Sequence, residues 1–463
     1  MSNQKPSLPR GTRDFGPDKM VKRNFIFDTI KATFQKFGFM PLETPAMENL
    51  SVLTGKYGEE GDQLLYKILN SRPHEARDSE KEKMRQDFNR LLTQNTNSPV
   101  LTEKGLRYDL TVPFARYVVM NRNEIKFPFK RYQIQPVWRG DSPQKGRYRE
   151  FYQCDADVVG TDSLLCEAEI VLMMNEVLSK LGIKDFTIKI NNRKILTGIA
   201  EAVGSPGKEG DLCVAIDKLD KIGREKVEKE LEERGFSRES VEKLNPVFSL
   251  KGSFAEQKKV LSELFASSET GRKGLEELGQ VMQLVEAFEI GNTHLEFDTT
   301  LARGLSYYTG AIFEVKAHHV QIGSISGGGR YDNLTGSFGM PGISGVGFSF
   351  GVDRIYDVME ELNLFPQNNF TTTRVLFSHF DEAALLYTLP LLKQLRENGI
   401  NSEVYPEAGK LKKQLDYANS KQIPFVVLVG SDEMASGKLT LKNMQIGSQQ
   451  QVTLEELIKA VIL

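Results

Sequence analysis

A strongly basic segment interrupts a chain whose overall charge is close to neutral. Between Arg122 and Arg149 there are eight Lys or Arg residues against two acidic ones, whereas the whole chain has a formal net charge of −2. Such a local excess of positive charge indicates an anionic ligand, and a basic loop between two strand-like segments suits a polyphosphate. A charged hairpin on the surface would give the same pattern without any ligand.

The residues that follow this loop alternate with a period of two, as they do in a strand. One face of the predicted strand carries an aromatic ring, an amide and two carboxylates, and the other face is largely apolar. The first face consists of Phe151, Gln153, Asp155 and Asp157, and the second of Tyr152, Cys154, Ala156 and Val158. The first face therefore offers a ring for stacking and polar groups for binding.

A second cluster suits an ammonium group. Arg107, Asp109 and Thr111 alternate on one predicted strand face, which runs into Pro113, where a helix can begin. A carboxylate and a hydroxyl at the end of a strand can bind a cation. An N-cap threonine beside a surface ion pair would have the same sequence.

Further candidate residues come late in the chain. Arg303 stands at a glycine turn and precedes Tyr307 and Tyr308, which must point to opposite faces if the chain is extended. Either one tyrosine reaches a pocket, or one lies in the core and the other on the surface. Arg354 is predicted in the first turn of a helix, where a cation faces the positive end of the helix dipole. A bound anion would compensate that charge, and so would an ion pair with Asp353 or another acid.

Hydrophobic periodicity and turn residues outline the elements that must position these side chains. The predicted elements are a helix over 18–37, an edge strand over 39–45, a surface insertion with one short helix over 71–98, a helical segment over 204–291, strands from 295 to 350, and alternating strands and helices from 374 onward. The early and late strands are predicted to form one sheet, and its exposed edge is a candidate dimer contact. The C-terminal alternation predicts a small α/β domain with parallel pairing, whose last helix begins with a capping box at Thr453.

Composition argues against several classes of protein. The chain has 463 residues, of which 40% are hydrophobic and 26% charged, and this suits a globular protein of roughly two to four domains. It has no apolar run near the roughly 18 residues of a membrane span and none of signal-peptide length at its start, so we expect a cytoplasmic protein. A pI near 6.3 argues against a protein that coats DNA. Three cysteines without a Cys-x-x-Cys spacing and five histidines without a helical pair do not support a zinc site.

Taken together, these stretches resemble the class II aminoacyl-tRNA synthetases, and among them the histidyl family. Two of them read Arg-Gly-Leu-Ser-Tyr-Tyr and Gly-Gly-Arg-Tyr-Asp, which are similar to the two signatures of histidyl enzymes. The matching stretches are 38–48 for motif 1, 132–157 for motif 2, 345–354 for motif 3, and 303–308 and 328–332 for the two signatures. The resemblance covers nearly the whole chain and is weakest over 71–98 and 204–291.

The resemblance implies an α/β multidomain protein with a class II synthetase antiparallel sheet flanked by helices, a helical insertion domain and a C-terminal α/β anticodon-binding domain. The catalytic core would consist of residues 1–203 and 292–366, the insertion of 204–291, and the anticodon-binding domain of 371–463. The implied ligands are ATP, L-histidine and tRNA(His), with Mg²⁺ held mainly through the ATP phosphates. A homodimer is implied as well, and neither a membrane nor DNA is expected as a partner.

The resemblance also implies roles for individual residues. ATP would contact Arg139, Asp141, Arg147, Phe151 and Arg354. Histidine would contact Asp109, Thr111, Arg139, Gln153, Asp157, Arg303, Tyr307 and Tyr308. Catalysis would rest on Arg139 and Arg303, and the tRNA acceptor end would meet Gln144 and Arg149.

Three positions depart from the family pattern. Ser306 stands where many relatives have Asp, which removes a charge beside the site, while Asp109 and Asp157 stand where many have Glu. The shorter carboxylates resemble the eukaryotic-type branch of the family. The implied function is ATP-dependent attachment of histidine to tRNA through a histidyl-adenylate. The alternatives are a non-catalytic paralogue that acts as a regulatory subunit or tRNA sensor, and an unrelated ATP-dependent ligase.

Overall fold

The computed structural model describes residues 5–94, 97–216, 218–248, 250, 252–289, 294–302, 307–366 and 372–462. By its contacts the chain divides into two compact units, one formed by residues 1–14 and 25–365 and the other by residues 15–24 and 366–463. No helix in the described ranges combines the length and the apolar character needed to cross a membrane.

The strands up to residue 365 are β1 (Met40–Pro41), β2 (Met47–Asn49), β3 (Lys67–Ile68), β4 (Lys104–Leu106), β5 (Phe129–Trp138), β6 (Glu150–Val159), β7 (Phe186–Asn192), β8 (Leu295–Phe297), β9 (Ala311–Ala317), β10 (Ser326–Tyr331) and β11 (Gly345–Gly351). The helices up to residue 365 are α1 (Pro17–Lys36), α2 (Leu50–Leu53), α3 (Gly58–Gln63), α4 (Asp78–Leu91), α5 (Thr111–Met120), α6 (Leu165–Lys180), α7 (Arg193–Ala202), α8 (Glu209–Ile216), α9 (Leu219–Ile222), α10 (Arg224–Glu233), α11 (Arg238–Lys243), α12 (Asn245–Phe248), α13 (Phe254–Leu264), α14 (Glu269–Ala287) and α15 (Val352–Glu361).

The first unit is built on an eight-stranded sheet in the order β1-β5-β6-β11-β10-β9-β7-β8. The early and late strands therefore lie in one sheet, as the sequence predicts. The pairs β1–β5 and β7–β8 are parallel, and the remaining neighbours are antiparallel. The predicted edge strand is confirmed in the short β1, which lies at one end of the sheet.

The two faces of β6 differ as the alternation predicts. Ala156 pairs with Tyr132 on β5 and with Phe348 on β11, so these three side chains share one face of the sheet. Helix α1 covers this face, where the ring of the fully buried Phe34 lies 5.8 Å from each of those two aromatic rings. Burial of one such phenylalanine contributes about 1.5–3 kcal/mol. The polar residues of β6 therefore point to the opposite face.

The prediction that Arg107, Asp109 and Thr111 lie on one face of a strand is wrong. The helix that was predicted after them is confirmed. Strand β4 ends at Leu106, and α5 begins at Thr111. The Asp109 carboxylate accepts a hydrogen bond of 3.1 Å from the N–H of Val112, an amide that has no partner within the helix. This capping interaction ends the extended chain before Asp109.

The two segments with the weakest resemblance are helical in the described residues. Helix α4 has no buried residue, and its Phe88 is 56% exposed, as expected for a surface insertion. Helices α8 to α14 occupy the described part of 204–291, and α14 packs on α7 of the core. This contact needs glycine, because a Cβ on Gly198 would lie 2.4 Å from the Cα of Gly271. A separate insertion domain over 204–291 stays a prediction.

The second unit contains a five-stranded sheet in the order β13-β12-β14-β15-β16. Its elements are β12 (Val375–His379), α16 (Glu382–Glu397), β13 (Ser402–Val404), α17 (Leu411–Ser420), β14 (Phe425–Val429), α18 (Ser431–Ser436), β15 (Leu439–Asn443), β16 (Gln449–Val452) and α19 (Leu454–Ile462). The parallel pairing of β12 with β13 and β14 is confirmed. So is the capping box, in which the N–H of Thr453 donates to Glu456 at 2.8 Å. The antiparallel β15 and β16 were not predicted.

Candidate active site

A cavity of about 480 Å³ lies on the polar face of the sheet, above β6, β10 and β11. It brings together most of the side chains that the sequence singles out for ATP and histidine. Those that line it are Asp109, Thr111, Arg139, Asp141, Arg147, Phe151, Gln153, Asp157, Tyr307, Tyr308 and Arg354. Arg303 and Ser306 lie outside the described residues.

Three arginines form what we call the cationic half of the cavity: Arg139, Arg147 and Arg354. Arg139 donates from Nε to the carbonyl of Tyr108 at 3.0 Å, and its guanidinium lies 4.2 Å from the Tyr108 ring and 5.1 Å from the Phe151 ring. Arg147 is 51% exposed and is 3.5 Å from the Asp141 carboxylate. The guanidinium of Arg139 is therefore held between two rings, whereas that of Arg147 is half exposed and pairs with Asp141.

Arg354 lies in the first turn of α15, as predicted. Its Nε donates to the carbonyl of Gly146 at 2.7 Å, and its Nη1 donates to that of Ser324 at 2.6 Å. Asp353 pairs with Arg13 and accepts the N–H of Tyr152. The carboxylates of Glu314 and Asp141 act electrostatically on Arg354. The alternative of an ion pair with another acid stays a prediction. Burial lowers the pKa of Arg354, and the neighbouring charges of the cationic half lower it further. An anion at this place would offset that repulsion.

An N-terminal strap, residues 9–13, contacts the basic loop, residues 139–149, which connects β5 and β6. The carbonyl of Gly11 accepts the N–H of Arg149 at 2.9 Å. The Arg13 guanidinium lies 3.2 Å from the centre of the Tyr148 ring and pairs with Asp353 on α15. The Tyr148 hydroxyl in turn donates to Asp357 at 3.0 Å. The loop is thus fixed to α15 by contacts that the sequence did not predict.

The two residues proposed for the tRNA acceptor end lie on the basic loop but do not line the cavity. Gln144 is exposed and closes a tight turn with Arg147, whose N–H donates to its carbonyl at 2.9 Å. Arg149 donates from Nε to the carbonyl of Asp141 at 3.1 Å and so supports the loop. A contact of either residue with tRNA stays a prediction.

Three buried aspartates form what we call the carboxylate half: Asp109, Asp155 and Asp157. Asp109 accepts three hydrogen bonds, two from the hydroxyls of Tyr57 and Tyr307 at 3.1 and 3.0 Å and one from the N–H of Val112 at 3.1 Å. Burial raises its pKa, and these donors together with Arg139 oppose that shift.

Asp157 is paired with a second buried charge. Its Oδ1 accepts a hydrogen bond of 2.6 Å from the Tyr331 hydroxyl, and its Oδ2 lies 2.8 Å from Nη2 of Arg131 in an ion pair that lacks hydrogen-bond geometry. Arg131 is fully buried. A Cβ at Gly347 would lie 2.0 Å from Asp157 Oδ1, so only glycine leaves room for this carboxylate. Burial raises the pKa of Asp157, and Arg131 opposes the shift.

Asp155 and Gln153 both lie beside Ser349 of β11. The Gln153 amide donates from Nε2 to Ser349 Oγ at 3.1 Å, and Ser349 is the residue that pairs with Asp155 across β6 and β11. Gln153 Oε1 and Asp155 Oδ1 are buried and make no hydrogen bond. Burial raises the pKa of Asp155 to about 7, although Arg131 acts against this shift.

The adjacent tyrosines both line the cavity, so the alternative that places one of them on the surface is wrong. The rings of Tyr307 and Tyr308 have centroids 5.0 Å apart at an angle of 70°. Burial raises the pKa of both tyrosines, and therefore both hydroxyls keep their protons at neutral pH.

Several residues of the site escaped the sequence reasoning. Tyr57 immediately precedes α3, whereas Arg131 comes from β5, Tyr331 from β10 and Ser349 from β11. A signal existed for Tyr331, which belongs to the Gly-Gly-Arg-Tyr-Asp stretch. Arg131 belongs to the basic segment 122–149 and Ser349 to the stretch 345–354, but neither was singled out as a site residue. Tyr57 lies in a stretch whose residue types are ordinary for a core or a surface.

Comparisons with known proteins bear on this arrangement. A family model described as histidyl-tRNA synthetase matches residues 74–355, and one described as anticodon binding domain matches residues 371–462. The chain belongs to the histidyl-tRNA synthetase family. The family that the motifs indicated is therefore confirmed.

Relatives match this member of the family over its full length. A histidine–tRNA ligase of Cytophaga hutchinsonii is 60% identical over 459 residues, which cover 99% of this chain and 100% of that protein. A histidine–tRNA ligase of Phocaeicola vulgatus is 57% identical, with 99% of both chains covered. Among solved structures, the histidyl-tRNA synthetase of a Nostoc species has a TM-score of 0.83 at 31% identity over 98% of both chains.

A more distant structure shares the synthetase fold. It comes from Bacillus halodurans, is described as an ATP phosphoribosyltransferase regulatory subunit/histidyl-tRNA synthetase, and has a TM-score of 0.71 at 19% identity. At that identity the likeness concerns the fold alone. The relatives above 50% identity are ligases, which does not favour the regulatory alternative.

Proposed function

We propose that the protein attaches L-histidine to tRNA(His) in an ATP-dependent reaction that passes through histidyl-adenylate and releases AMP and pyrophosphate. One observation carries this proposal: a single cavity in a chain of this family has a cationic half and a carboxylate half. Joining a nucleotide polyanion to an amino acid with an ammonium group requires both environments side by side.

In the first step the histidine carboxylate attacks the α-phosphorus of ATP. The bond from this phosphorus to the bridging oxygen breaks, and pyrophosphate leaves with the bonding electrons. Arg139 supplies positive charge where the two halves meet, since it acts on both Asp109 and Arg354. Arg303 supplies a second charge there in this proposal. Catalysis is then positioning and charge neutralisation, without a side-chain nucleophile.

The remaining cations and rings hold the nucleotide. Arg147 and Arg354 bind the outer phosphates, Phe151 stacks on adenine, and Asp141 contacts the base. The stacking ring and the guanidinium of Arg139 are neighbours at 5.1 Å, which brings the base and the α-phosphate to adjoining places.

Selectivity for histidine comes from contacts to both imidazole nitrogens. The neutral ring has one N–H donor and one acceptor nitrogen. Asp157 accepts from the N–H, and Tyr308 donates to the other nitrogen, because burial keeps its hydroxyl protonated. An analogue that lacks either nitrogen leaves a buried polar group unpaired, which costs about 1–3 kcal/mol.

In the second step a hydroxyl of the 3′-terminal ribose of tRNA attacks the carbonyl carbon of the adenylate, and AMP leaves. The exposed Gln144 and the basic Arg149 contact the acceptor end, and residues 371–463 contact the anticodon. Alanine at Gln144 is expected to lower tRNA charging and to leave adenylate formation unchanged. Equal charging by the variant and the parent protein would contradict this role of Gln144.

Mg²⁺ fits the cavity as a partner of ATP. No three His, Cys, Asp or Glu side chains come together as a metal site in the part of the chain that the structure describes. Glu314 of β9 lines the cavity and acts on Arg354 electrostatically, so a carboxylate lies at the phosphate end. The ion supplies further charge neutralisation when it arrives with the phosphates.

The proposal includes a homodimer in the cytoplasm. Strand β1 lies at an edge of the eight-stranded sheet, and its Met40 is 63% exposed. Met47, on the edge strand β2 of the separate sheet β2-β4-β3, is 55% exposed. Exposed methionines on edge strands suit burial against a second copy. Sedimentation at micromolar concentration that gave the mass of one chain, 52.2 kDa, would contradict the dimer.

The decisive experiment is histidine-dependent exchange between ATP and pyrophosphate, with the other amino acids as controls and with Arg303→Ala in parallel. We expect exchange with histidine alone and its loss in the variant. No exchange by a folded protein that still binds tRNA would overturn the proposal in favour of a sensor or regulatory subunit.

A further inference from the structure

Two tyrosines of the cavity lie just beyond the paired part of the strands β9 and β10. The pairing of these strands ends at Ile312 and Gly329, so Tyr308 and Tyr331 come after the last paired residues. The segment that carries Tyr308 precedes β9, which begins at Ala311. A ring that must present its hydroxyl at a fixed place therefore needs support from side chains there.

Thr309 and Asp332 supply such support. Thr309 follows Tyr308 in the chain, and Asp332 follows Tyr331. The Thr309 hydroxyl donates to Oδ2 of Asp332 at 2.6 Å and accepts the N–H of Asp332 at 3.1 Å. We call this reciprocal pair the bracket. It joins the residue after one tyrosine of the cavity to the residue after the other, so it fixes the two backbones relative to each other.

A buried ion pair connects the bracket to α6. Oδ1 of Asp332 accepts a hydrogen bond of 2.6 Å from the Ser344 hydroxyl, whose oxygen accepts from Nη1 of Arg330 at 2.5 Å. Arg330 also donates from Nε and Nη2 to the two oxygens of Glu167 at 2.5 and 2.7 Å. The side chains of Arg330 and Glu167 are 5% and 0% exposed. A bidentate pair of this kind has a defined geometry, so the bracket has a rigid base.

The two rings lie directly on strand backbones. A Cβ at Gly329 would lie 2.8 Å from Cδ1 of Tyr308, and a Cβ at Gly345 would lie 2.3 Å from Cε2 of Tyr331. A shift of the backbone therefore moves the ring with it. The Tyr331 hydroxyl donates to Asp157 at 2.6 Å, so the position of Asp157 depends on the same support.

We propose that the bracket of Thr309 and Asp332 is a positioning device for the imidazole ring of the substrate and determines selectivity for histidine. This rests on the proposed function, in which Tyr308 and Asp157 contact the two ring nitrogens. Neither residue of the bracket lines the cavity, so the bracket acts through its neighbours. It holds Tyr308 at the separation from Asp157 that an imidazole ring spans. A misplacement of about 1 Å can cost about 100-fold in rate.

The test measures histidine-dependent ATP–pyrophosphate exchange by Thr309→Val, in which a methyl group replaces the hydroxyl at similar volume. We expect kcat/KM for histidine to fall by about 10- to 100-fold, because a hydrogen bond to a carboxylate is lost and Tyr308 is less firmly placed. The KM for ATP should stay within about twofold, as for an independent site, because other elements hold Arg139 and Arg354.

Two competitive inhibitors separate the placement of the hydroxyl from the shape of the pocket. Histidinol keeps the imidazole ring, and 2-thienylalanine has a five-membered ring without nitrogen. In Thr309→Val the inhibition constant of histidinol should rise by about 10- to 100-fold, in parallel with the loss for histidine. That of 2-thienylalanine should change by less than about threefold, since it makes no hydrogen bond to Tyr308.

Further variants guard the interpretation. Thr309→Ser keeps the hydroxyl and should bring kcat/KM for histidine back to within about threefold of the parent value. Asp332→Asn removes one of the two acceptor oxygens and carries the same expectation as Thr309→Val, so it serves if the valine variant fails to fold. The double variant should be no weaker than the weaker single variant, because both changes break one pair. Thr93→Val removes an exposed hydroxyl and is the matched control.

Three outcomes overturn the assignment. An equal loss for histidinol and 2-thienylalanine would mean that the bracket only shapes the pocket. An equal rise of the KM values for ATP and histidine would mean that it supports the whole site. An unchanged kcat/KM in Thr309→Val would mean that Tyr308 is placed without it. If the proposed function failed, the parent protein itself would show no histidine-dependent exchange, and the assignment would fall with it.

Discussion

The two halves of the cavity hold their charges in different ways. Arg139, Arg147 and Arg354 keep some exposure to solvent, and two of them are held by backbone carbonyls that do not neutralise them. The aspartates of the carboxylate half are at most 2% exposed and lie in a network of tyrosines, a serine and Arg131. A loop and a helix end carry the cations, whereas a sheet carries most of the anions.

This difference suggests a division of labour. Arg139 and Arg354 are held in place by backbone carbonyls, and the half-exposed Arg147 can adjust to a polyphosphate whose charge does most of the binding. A buried carboxylate must have its partners in place, because desolvation makes an unpaired charge costly. The cationic half is therefore suited to charge neutralisation, and the carboxylate half to discrimination between amino acids. Mutations in the two halves should have different consequences.

The largest effect is expected at the junction of the halves. Arg139→Ala should lower the rate of histidine-dependent ATP–pyrophosphate exchange by about 10²- to 10³-fold, because one preorganised charge at the reacting phosphate is lost. Single-turnover adenylate formation at saturating ATP and histidine measures this directly. Arg122→Ala, an exposed residue before the same hairpin, is the control. If the exchange rate of Arg139→Ala fell by less than about threefold, Arg139 would not act on the reacting phosphate, because loss of one preorganised donor lowers a rate far more than that.

A change in the carboxylate half should instead lower stability. Asp157→Asn leaves the fully buried Arg131 without its ion-pair partner, and we expect the free energy of unfolding to fall by about 3 kcal/mol. Urea denaturation of the ligand-free protein measures it, with Asp162→Asn as the control. If the two variants were equally stable, the carboxylate half would not depend on this pair.

The pH dependence of stability should sharpen the comparison. Because the pKa of Asp155 is raised from 3.8 to about 7 in the folded protein, the folded state binds this proton more tightly than the unfolded state. The contribution of Asp155 to stability therefore falls as the pH rises from about 4 to about 7 and changes little above that. Asp155→Asn should stabilise the ligand-free protein, by about 2 kcal/mol more at pH 8 than at pH 5.

Urea denaturation curves of the parent protein and of Asp155→Asn, each recorded at pH 5 and at pH 8, test this expectation. The surrounding Asp109, Asp157 and Arg131 are present in both proteins, so their own titration largely cancels in the difference. A difference between variant and parent that is the same at both pH values would mean that Asp155 is ionised throughout.

The smallest effect is expected from a mutation in the N-terminal strap. Arg13→Ala removes the stacking on Tyr148 and the pair with Asp353, so the basic loop is less firmly held against α15. The KM for ATP should rise by about tenfold, which corresponds to about 1.4 kcal/mol, while the KM for histidine should stay within about twofold because the carboxylate half is untouched. The exposed Arg10, changed to alanine, is the control. An equal rise of both KM values would show that the strap supports the whole fold.

The sequence predicts the cationic half better than the carboxylate half, and the reason is physical. A cluster of basic residues is visible as a local excess of charge, and Arg354 follows from its place at a helix start. The occupancy of a buried oxygen depends on partners from other elements, so Asp155 cannot be distinguished from Asp109 or Asp157 by sequence. Periodicity placed the polar face of β6 correctly, since alternation is a local property of a strand. It failed before α5, where Asp109 caps the helix and the residues that were predicted to continue a strand lie beyond the end of β4.

The strap also has a consequence for the order in which the protein can be assembled. Arg13 and Asp353 are 340 positions apart, and the loop that they hold lies between them in the chain. During synthesis the basic loop leaves the ribosome long before α15 does. The loop therefore has the N-terminal strap beside it but lacks its contacts with α15 for most of translation. A nascent chain that ends before Asp353 should therefore have little affinity for ATP, and nucleotide binding should begin only once α15 has folded onto the sheet.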